Sequence, residues 1–140
     1  MSSNSPTGST VKPLRAALAA GLIVAGAGVL TQYLVGVPGF PKIPPGPIIL
    51  GAAAILVLAL AARRWTLLVG TFAALFVFVG GLIEGSVWGR LGNPGAVDVW
   101  IGVFLQWIGL VIALVAGVAA IRQAYARRTM TQGLRAGRTR

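Results

Sequence analysis

Four long stretches without a charged residue constrain the fold of this 140-residue chain more than any other feature. The stretches cover residues 16–37, 48–62, 66–83 and 99–121. A helix rises about 1.5 Å per residue, so about 20 residues cross a hydrocarbon core that is about 30 Å thick. Three of the stretches are long enough. The second, of 15 residues, reaches that length only when the prolines before it form the first helical turn, where a missing N–H costs little.

These stretches predict an all-α fold, a polytopic membrane protein with a four-transmembrane-helix bundle in residues 14–121. The four predicted helices cover about residues 16–37, 44–62, 66–83 and 99–121. Because the second is short, the alternative is a re-entrant hairpin made of the second and third stretches. Residues 1–13 are rich in Ser, Thr, Gly and Pro, which predicts a disordered N-terminal tail. Residues 122–140 form a basic C-terminal tail.

The charged residues lie outside the apolar stretches and are distributed unevenly. The chain has 12 Lys and Arg residues against 2 Asp and Glu residues, a formal net charge of +10. With four spans, ten of the twelve basic residues fall on the side of the two termini, and the loops on the other side sum to zero. Because loops rich in Lys and Arg stay in the cytoplasm, we predict a multi-pass protein with both termini cytoplasmic. The bias toward Arg over Lys, with abundant Ala, Gly and Val, suggests a bacterial source, and we predict that the protein lies in the cytoplasmic (inner) membrane.

The first apolar stretch also has the layout of a signal peptide. Lys12 and Arg15 precede an apolar segment that contains the small residues Ala25, Gly26 and Ala27. The stretch continues for ten residues past Ala27, which is typical of a membrane anchor rather than of a cleaved signal peptide. We therefore expect the first helix to remain in the protein.

The connection from Glu84 to Asp98 is the longest between two predicted helices. It contains Gly85, Gly89 and Gly92, and each glycine lowers helix stability by about 1 kcal/mol relative to alanine. We therefore predict that this connection is not helical.

Small residues recur at helical spacing in three of the predicted helices. They are Gly21 and Ala25 in the first helix, Gly70, Ala74 and Gly81 in the third, and Gly102, Gly109, Ala113 and Gly117 in the fourth. Such residues let helix backbones approach closely in lipid. They predict packing faces, either within a compact bundle or against a partner protein or a second copy of this chain.

Three polar residues are predicted to lie toward the outer ends of their helices. Gln106 is the most polar residue inside any apolar stretch, Gln32 lies near the end of the first stretch, and Glu84 follows the third. Polar groups inside a membrane are costly and tend to have a role, so one interpretation is a ligand or proton site. The alternative is an interhelical hydrogen bond that fixes packing, with Glu84 paired to Arg90 or Lys42 at the membrane surface.

Five basic residues are predicted to lie near the inner membrane surface: Arg63, Arg64, Arg122, Arg127 and Arg128. A basic residue near an anionic surface contributes about 1 kcal/mol of attraction, so we predict contacts with anionic lipids on the cytoplasmic side. Nucleic-acid recognition usually adds base-stacking aromatic residues or a folded reader domain. Because the tail offers only one tyrosine, we predict no nucleic-acid partner.

Composition excludes several kinds of chemistry. The chain has no His, no Cys and only two acidic residues, so we expect no catalytic residue, no cofactor and no metal site, and we predict that the protein is not an enzyme. The leading hypothesis is a small accessory or scaffold subunit that packs through its small-residue faces against a larger membrane complex or against itself.

Two alternatives to the accessory subunit remain. One is a small transporter or channel. The other is a protein that binds a lipid or a quinone through the outer polar cluster and the aromatic residues near it, which are Tyr33, Phe40, Trp88, Trp100 and Trp107.

Overall fold

The computed structural model of this chain describes residues 11–38 and 41–139, and every regular element in that part is a helix. The helices are α1 (Val11–Leu34), α2 (Pro45–Ala59), α3 (Trp65–Glu84), α4 (Ser86–Leu91) and α5 (Val97–Arg138). Among them α1, α3 and α5 are long and apolar enough to span a membrane. The predicted all-α fold and the multi-pass membrane class are thus confirmed.

The second predicted membrane helix is short in the structure as well. α2 begins at Pro45 and ends at Ala59, so its 15 residues extend about 22 Å, less than the predicted segment 44–62. Pro44 precedes it in an extended conformation, and Leu60 departs from helical geometry. The chain then turns through residues 60–64 into α3, so α2 and α3 form a tight antiparallel hairpin.

α1 and α5 run antiparallel and touch each other through their backbones. A Cβ atom at Gly21 would lie 2.6 Å from the backbone nitrogen of Ala113. A Cβ atom at Gly28 would lie 2.5 Å from the backbone nitrogen of Gln106. Because backbone atoms cannot rotate away as a side chain can, only glycine fits at these positions, and α1 with α5 forms the closest helix pair of the bundle.

Apolar side chains fill the bundle and also cover its outside. The largest fully buried ones come from all four long elements and include Leu18, Leu22, Leu50, Leu67 and Leu110. On the outward faces of α3 and α5, Phe72, Ile83 and Val115 are exposed. Soluble proteins rarely expose contiguous apolar surface of this extent, whereas lipid chains solvate it, so the outward faces suit a membrane.

The prediction of a non-helical connection between Glu84 and Asp98 is wrong, because Ser86–Leu91 forms α4. Gly85 adopts a left-handed conformation with φ of +70°, which ends α3 and lets the chain fold back at once into the next helix. A helix of six residues has little stability of its own. It is held by tertiary contacts, including the burial of Val87.

Both terminal segments contain more helix than expected. α1 begins at Val11, so residues 11–13 of the predicted disordered tail are helical, whereas residues 1–10 lie outside the described part. α5 has 42 residues, which corresponds to about 63 Å, and most of the predicted basic tail 122–140 is its extension. Side chains from residue 128 to residue 139 are exposed.

Candidate functional site

The bundle has two polar ends. At the first, which we call the α4 end, α1 and α3 end and α2 and α5 begin. At the second, the hairpin end, α2 turns into α3 and the basic extension of α5 leaves the bundle. The predicted polar cluster lies at the α4 end, and the arginines predicted to contact anionic lipid lie at the hairpin end. Among those arginines Arg127 is half-buried, and the exposed ones are Arg63, Arg64, Arg122 and Arg128.

Two buried glutamines meet between α1 and α5 at the α4 end. Gln32 is 1% exposed and Gln106 is 8% exposed. The Nε2 atom of Gln32 donates a hydrogen bond of 2.7 Å to Oε1 of Gln106. Glycines make this approach possible, because a Cβ atom at Gly102 would lie 2.9 Å from Cγ of Gln32. Each glutamine thereby satisfies part of the other's hydrogen-bonding capacity inside the bundle.

Arg90 of α4 joins this glutamine pair to Glu84. Its Nη1 atom donates to Oε1 of Gln32 at 3.2 Å, and its Nη2 atom lies 3.6 Å from Oε1 of Glu84. The hydroxyl of Ser86 also donates to Glu84, at 3.0 Å. The structure therefore brings the three predicted cluster residues into one network, with Glu84 connected through Arg90. We call Glu84, Arg90, Gln32 and Gln106 the polar network.

The sequence indicated Arg90 only as a possible ion-pair partner of Glu84 and missed its contact with Gln32. The reason is the turn at Gly85. The sequence does not show that the chain folds back after α3, so it does not predict that Arg90 lies beside Gln32, 58 positions earlier in the chain. The left-handed Gly85 folds α4 back and makes the contact possible. Glycine directly after a predicted helix is the one signal that could have indicated it.

A cavity of about 560 Å³ lies between α2 and α3 at the α4 end. The polar network forms its polar part, and its apolar walls come from α1, the loop before α2, and α2, α3 and α4. The apolar lining includes Val29, Pro44, Ile49, Phe76, Val77 and Val87. Gly80 and Gly81 contribute wall without a side chain. The cavity is thus apolar over most of its surface and carries charged and amide groups at one end.

The charges of the cavity are balanced but differ in depth. The side chain of Arg90 is 15% exposed, whereas that of Glu84 is 55% exposed. The guanidinium group therefore lies deeper than the carboxylate, and together they carry no net charge. In the part of the chain that the structure describes, no three acidic, histidine or cysteine side chains cluster to ligate a metal. The network offers hydrogen bonds and one ion pair instead.

The predicted aromatic contribution to the site is mostly absent from the cavity. Trp100 stacks on Phe104 at 5.1 Å, and Trp107 packs edge to face on Phe78 at 4.9 Å. Neither tryptophan is among the residues that line the cavity, where Phe76 is the aromatic side chain of the described residues. Phe40 lies outside the described residues. The cavity therefore offers little surface for stacking a flat ring.

A second buried polar group lies at the hairpin end, and the sequence indicated it only as a positive charge before the first apolar stretch. Arg15 of α1 is 8% exposed. Its Nη1 atom donates to the backbone oxygen of Val57 at 2.9 Å and to Oγ1 of Thr66 at 2.8 Å. Its Nη2 atom donates to the backbone oxygen of Arg63 at 3.5 Å. Arg15 therefore ties α1 to the α2–α3 turn, and its acceptor Val57 lies in the last turn of α2, where helix carbonyls lack a partner within the helix.

All nine small residues predicted as packing faces are buried inside the chain. Gly21 and Ala25 of α1 face Gly109 and Ala113 of α5. The others pack in the same way between helices of this chain: Gly102 at Gln32, Gly117 at Thr71, Gly81 at Trp107, Gly70 at Val57, and Ala74 within the core. These faces are occupied within one molecule and are not presented to a partner.

Comparison of the chain with protein-family models, with curated proteins and with solved structures gives no match. We therefore infer the function of this multi-pass membrane protein from its structure, and the feature that carries the inference is the polar network in the apolar cavity.

Proposed function

We propose that this protein binds one lipid molecule in the cavity at the α4 end. The observation that carries the proposal is the polar network at the end of an otherwise apolar cavity. A lipid has the same division into a polar head group and apolar chains. The cavity volume of about 560 Å³ suits a head group with the first part of its chains, and ligand sites typically have roughly 300–1,000 Å³.

Helix packing alone does not require this arrangement. The Gln32–Gln106 hydrogen bond joins α1 to α5 directly, without the side chains of Arg90 and Glu84. Charged groups in a membrane helix bundle are energetically costly and usually have a function. Arg90 and Glu84 line a cavity rather than filling it. Phe76 and Gly80 lie on the exposed side of α3 and line the same cavity. That side gives a lipid a lateral route from the bilayer.

A quinone is the less suitable ligand of the two that the sequence indicated. Quinone rings bind well where aromatic side chains stack on them, and the predicted tryptophans pack elsewhere. The aliphatic walls of the cavity favour acyl chains.

For the orientation, we propose four membrane crossings with the hairpin end in the cytoplasm and the α4 end outside. Ten of the twelve basic residues of the sequence belong to the hairpin side, which the positive-inside rule assigns to the cytoplasm. α2 is short, but Arg63 and Arg64 follow it and can extend their charged heads to the interface. In a bacterial cell this membrane is the cytoplasmic (inner) membrane, and Arg63, Arg64 and Arg122 would contact its anionic lipids.

The accessory-subunit and transporter hypotheses remain untested predictions. The small-residue faces that supported an accessory role are turned inward, so a partner would have to bind the apolar outside of the bundle. The polar network and the Arg15 contacts lie at opposite ends, and buried Leu18, Leu22 and Leu110 separate them. This arrangement supports lipid binding at one end better than a polar path across the membrane.

Lipid binding is tested by purifying the full chain from its membrane in a mild detergent and recording native mass spectra. We expect one retained lipid per chain, identified by extraction and fragmentation. A chain that keeps no lipid in the mildest detergent that preserves its fold would contradict the proposal. A retained membrane protein in place of a lipid would instead support the accessory role.

A further inference from the structure

The two charged groups of the polar network differ in depth. Both line a cavity whose other walls are mostly apolar, and the side chain of Arg90 is nearly buried whereas that of Glu84 is more than half exposed. Nη2 of Arg90 and Oε1 of Glu84 are 3.6 Å apart, longer than the roughly 2.7–2.9 Å of a tight charge-assisted hydrogen bond.

We infer that the lipid in this cavity has a zwitterionic head group, with its phosphate at Arg90 and a primary ammonium at Glu84. This inference rests on the proposed lipid binding and adds the class of head group. In an aminophospholipid the order of groups is acyl chains, phosphate, then ammonium. The cavity presents complementary groups, which are apolar walls, a cation that is nearly buried and an anion that is more exposed.

Charge balance excludes the simpler head groups as the best fit. A purely anionic head group would gain Arg90 but would lie beside the Glu84 carboxylate, which repels it. A purely cationic head group would be attracted by Glu84 but repelled by Arg90. A zwitterion pairs both charges and leaves the site neutral, which is the least costly arrangement near the hydrocarbon region. Each favourable contact is charge-assisted, since guanidinium binds phosphate and ammonium binds carboxylate.

The amide of Gln106 supplies a further contact for such a lipid. Its Oε1 atom accepts the hydrogen bond from Gln32, and its Nε2 atom lies 4.0 Å from the position of a Cβ atom at Gly81, in the wall of the cavity. That position suits an ester carbonyl next to the phosphate, because the amide nitrogen donates hydrogen bonds. The site would thus bind the head group and the start of the chains together.

The test measures head-group preference on the purified full chain. Protein in detergent is incubated with equimolar phosphatidylethanolamine, phosphatidylglycerol and phosphatidylcholine of identical acyl chains, and native mass spectra give the retained fractions. We expect phosphatidylethanolamine to be retained about tenfold over phosphatidylglycerol, which corresponds to about 1.4 kcal/mol. Phosphatidylcholine should be retained less than phosphatidylethanolamine, because its quaternary ammonium has no N–H to donate to Glu84.

Two variants test the assignment of each charge. Glu84→Gln removes the anion and should shift the preference toward phosphatidylglycerol, because Arg90 then faces the head group without a neighbouring carboxylate. Arg90→Gln should lower retention of all three phospholipids, because each carries the phosphate that Arg90 binds. Asp98→Asn is the matched control, because it removes the other acidic residue at the α4 end, which is exposed and not among the residues that line the cavity. It should leave the preference unchanged.

The outcomes separate this inference from the proposed function. Retained lipid without a head-group preference, or a preference that Glu84→Gln does not alter, would overturn the zwitterionic assignment and leave lipid binding standing. No retained lipid would overturn both. A large excess of water-soluble glycerophosphoethanolamine should not displace the lipid, since it lacks the chains that the apolar walls bind. Displacement would overturn the assignment to a lipid and point to a soluble phosphoamine.

Discussion

Gln32 and Gln106, 74 positions apart in the chain, share a hydrogen bond of 2.7 Å where α1 and α5 are in backbone contact. The same Gln32 accepts from Arg90 through its Oε1 atom. The pair thus belongs both to the closest helix contact of the bundle and to the proposed lipid site. A substitution of either glutamine should therefore affect both the stability of the bundle and lipid binding. Variants at other positions are needed to measure the two effects separately.

Removing either glutamine should destabilise the bundle, and removing both should cost less than the sum. Gln32→Leu or Gln106→Leu leaves the remaining amide without its buried partner. Interhelical hydrogen bonds of this kind average about 0.6 kcal/mol in double-mutant cycles, so a coupling of that order is expected. Unfolding in mixed micelles with increasing denaturing detergent measures it. Strict additivity of the two single changes would contradict a direct bond between the glutamines.

Gly109→Ala should lower stability by about 1–3 kcal/mol, the usual range for overpacking a well-packed site. Its Cβ would overlap the backbone nitrogen of Ala25 and lie 2.6 Å from the backbone oxygen of Gly21. Gly133→Ala is the control on the same helix, because no atom beyond its chain neighbours and the backbone of its own helix turn lies within 4 Å of its Cβ position. Thermal unfolding of detergent-solubilised protein reports the difference.

The Gly109→Ala variant also distinguishes packing within one chain from packing between chains. We expect the variant to lose stability while its oligomeric state, measured by light scattering, stays unchanged. A variant that folds normally but dissociates from an oligomer would show that the small-residue face of α5 contacts another copy.

Arg15→Lys should destabilise the protein although it preserves the charge. A lysine ammonium lacks the planar fork that donates from two nitrogens to separate acceptors, so the contacts with Val57, Thr66 and Arg63 cannot all form. The expected loss is about 1–3 kcal/mol for a buried group left unsatisfied. Lys12→Gln, at an exposed position of α1, is the control. Equal stability of Arg15→Lys and wild type would contradict a structural role for Arg15.

Single-cysteine labelling should establish the topology, because the chain has no native cysteine. A membrane-impermeant maleimide added to spheroplasts should label Asn93→Cys at the α4 end. It should label Ala62→Cys in the hairpin turn and Thr131→Cys on the α5 extension only after the membrane is opened. If Ala62→Cys resists labelling in both conditions, α2 and α3 form a re-entrant hairpin. Labelling of Thr131→Cys in intact spheroplasts would contradict the proposed orientation and show that the hairpin end lies outside.

Much of the fold and part of the site followed from the sequence. α1, α3 and α5 were predictable because their apolar stretches are long and uninterrupted. The joining of Gln32, Glu84 and Gln106 was predictable because antiparallel spans bring the ends of successive helices to the same side. The pairing of α1 with α5 was not, because small residues recur on three helices and do not specify which two meet.

Arg90 and Arg15 show the other limit of sequence reasoning. Both look like charges beside a membrane segment, and their roles depend on turns whose geometry no periodicity predicts. Gly85 directs α4, and with it Arg90, back toward Gln32. Because α2 ends early, at Ala59, the Val57 carbonyl lies in its last turn, where Arg15 binds it. In both cases the conformation of a few backbone residues determines which contacts the arginine makes.

The most direct test of lipid binding at the α4 end compares Gly80→Leu with Gly51→Leu. Both glycines lie in helices, and no atom beyond their chain neighbours and the backbone of their own helix turn lies within 4 Å of the Cβ position. Gly80 lines the cavity, whereas Gly51 does not. Native mass spectra of the two purified variants and of wild type give the lipid retained per chain. We expect Gly80→Leu to lose at least about tenfold in retained lipid, equivalent to about 1.4 kcal/mol, while Gly51→Leu matches wild type. Equal retention by the two variants would contradict binding in this cavity.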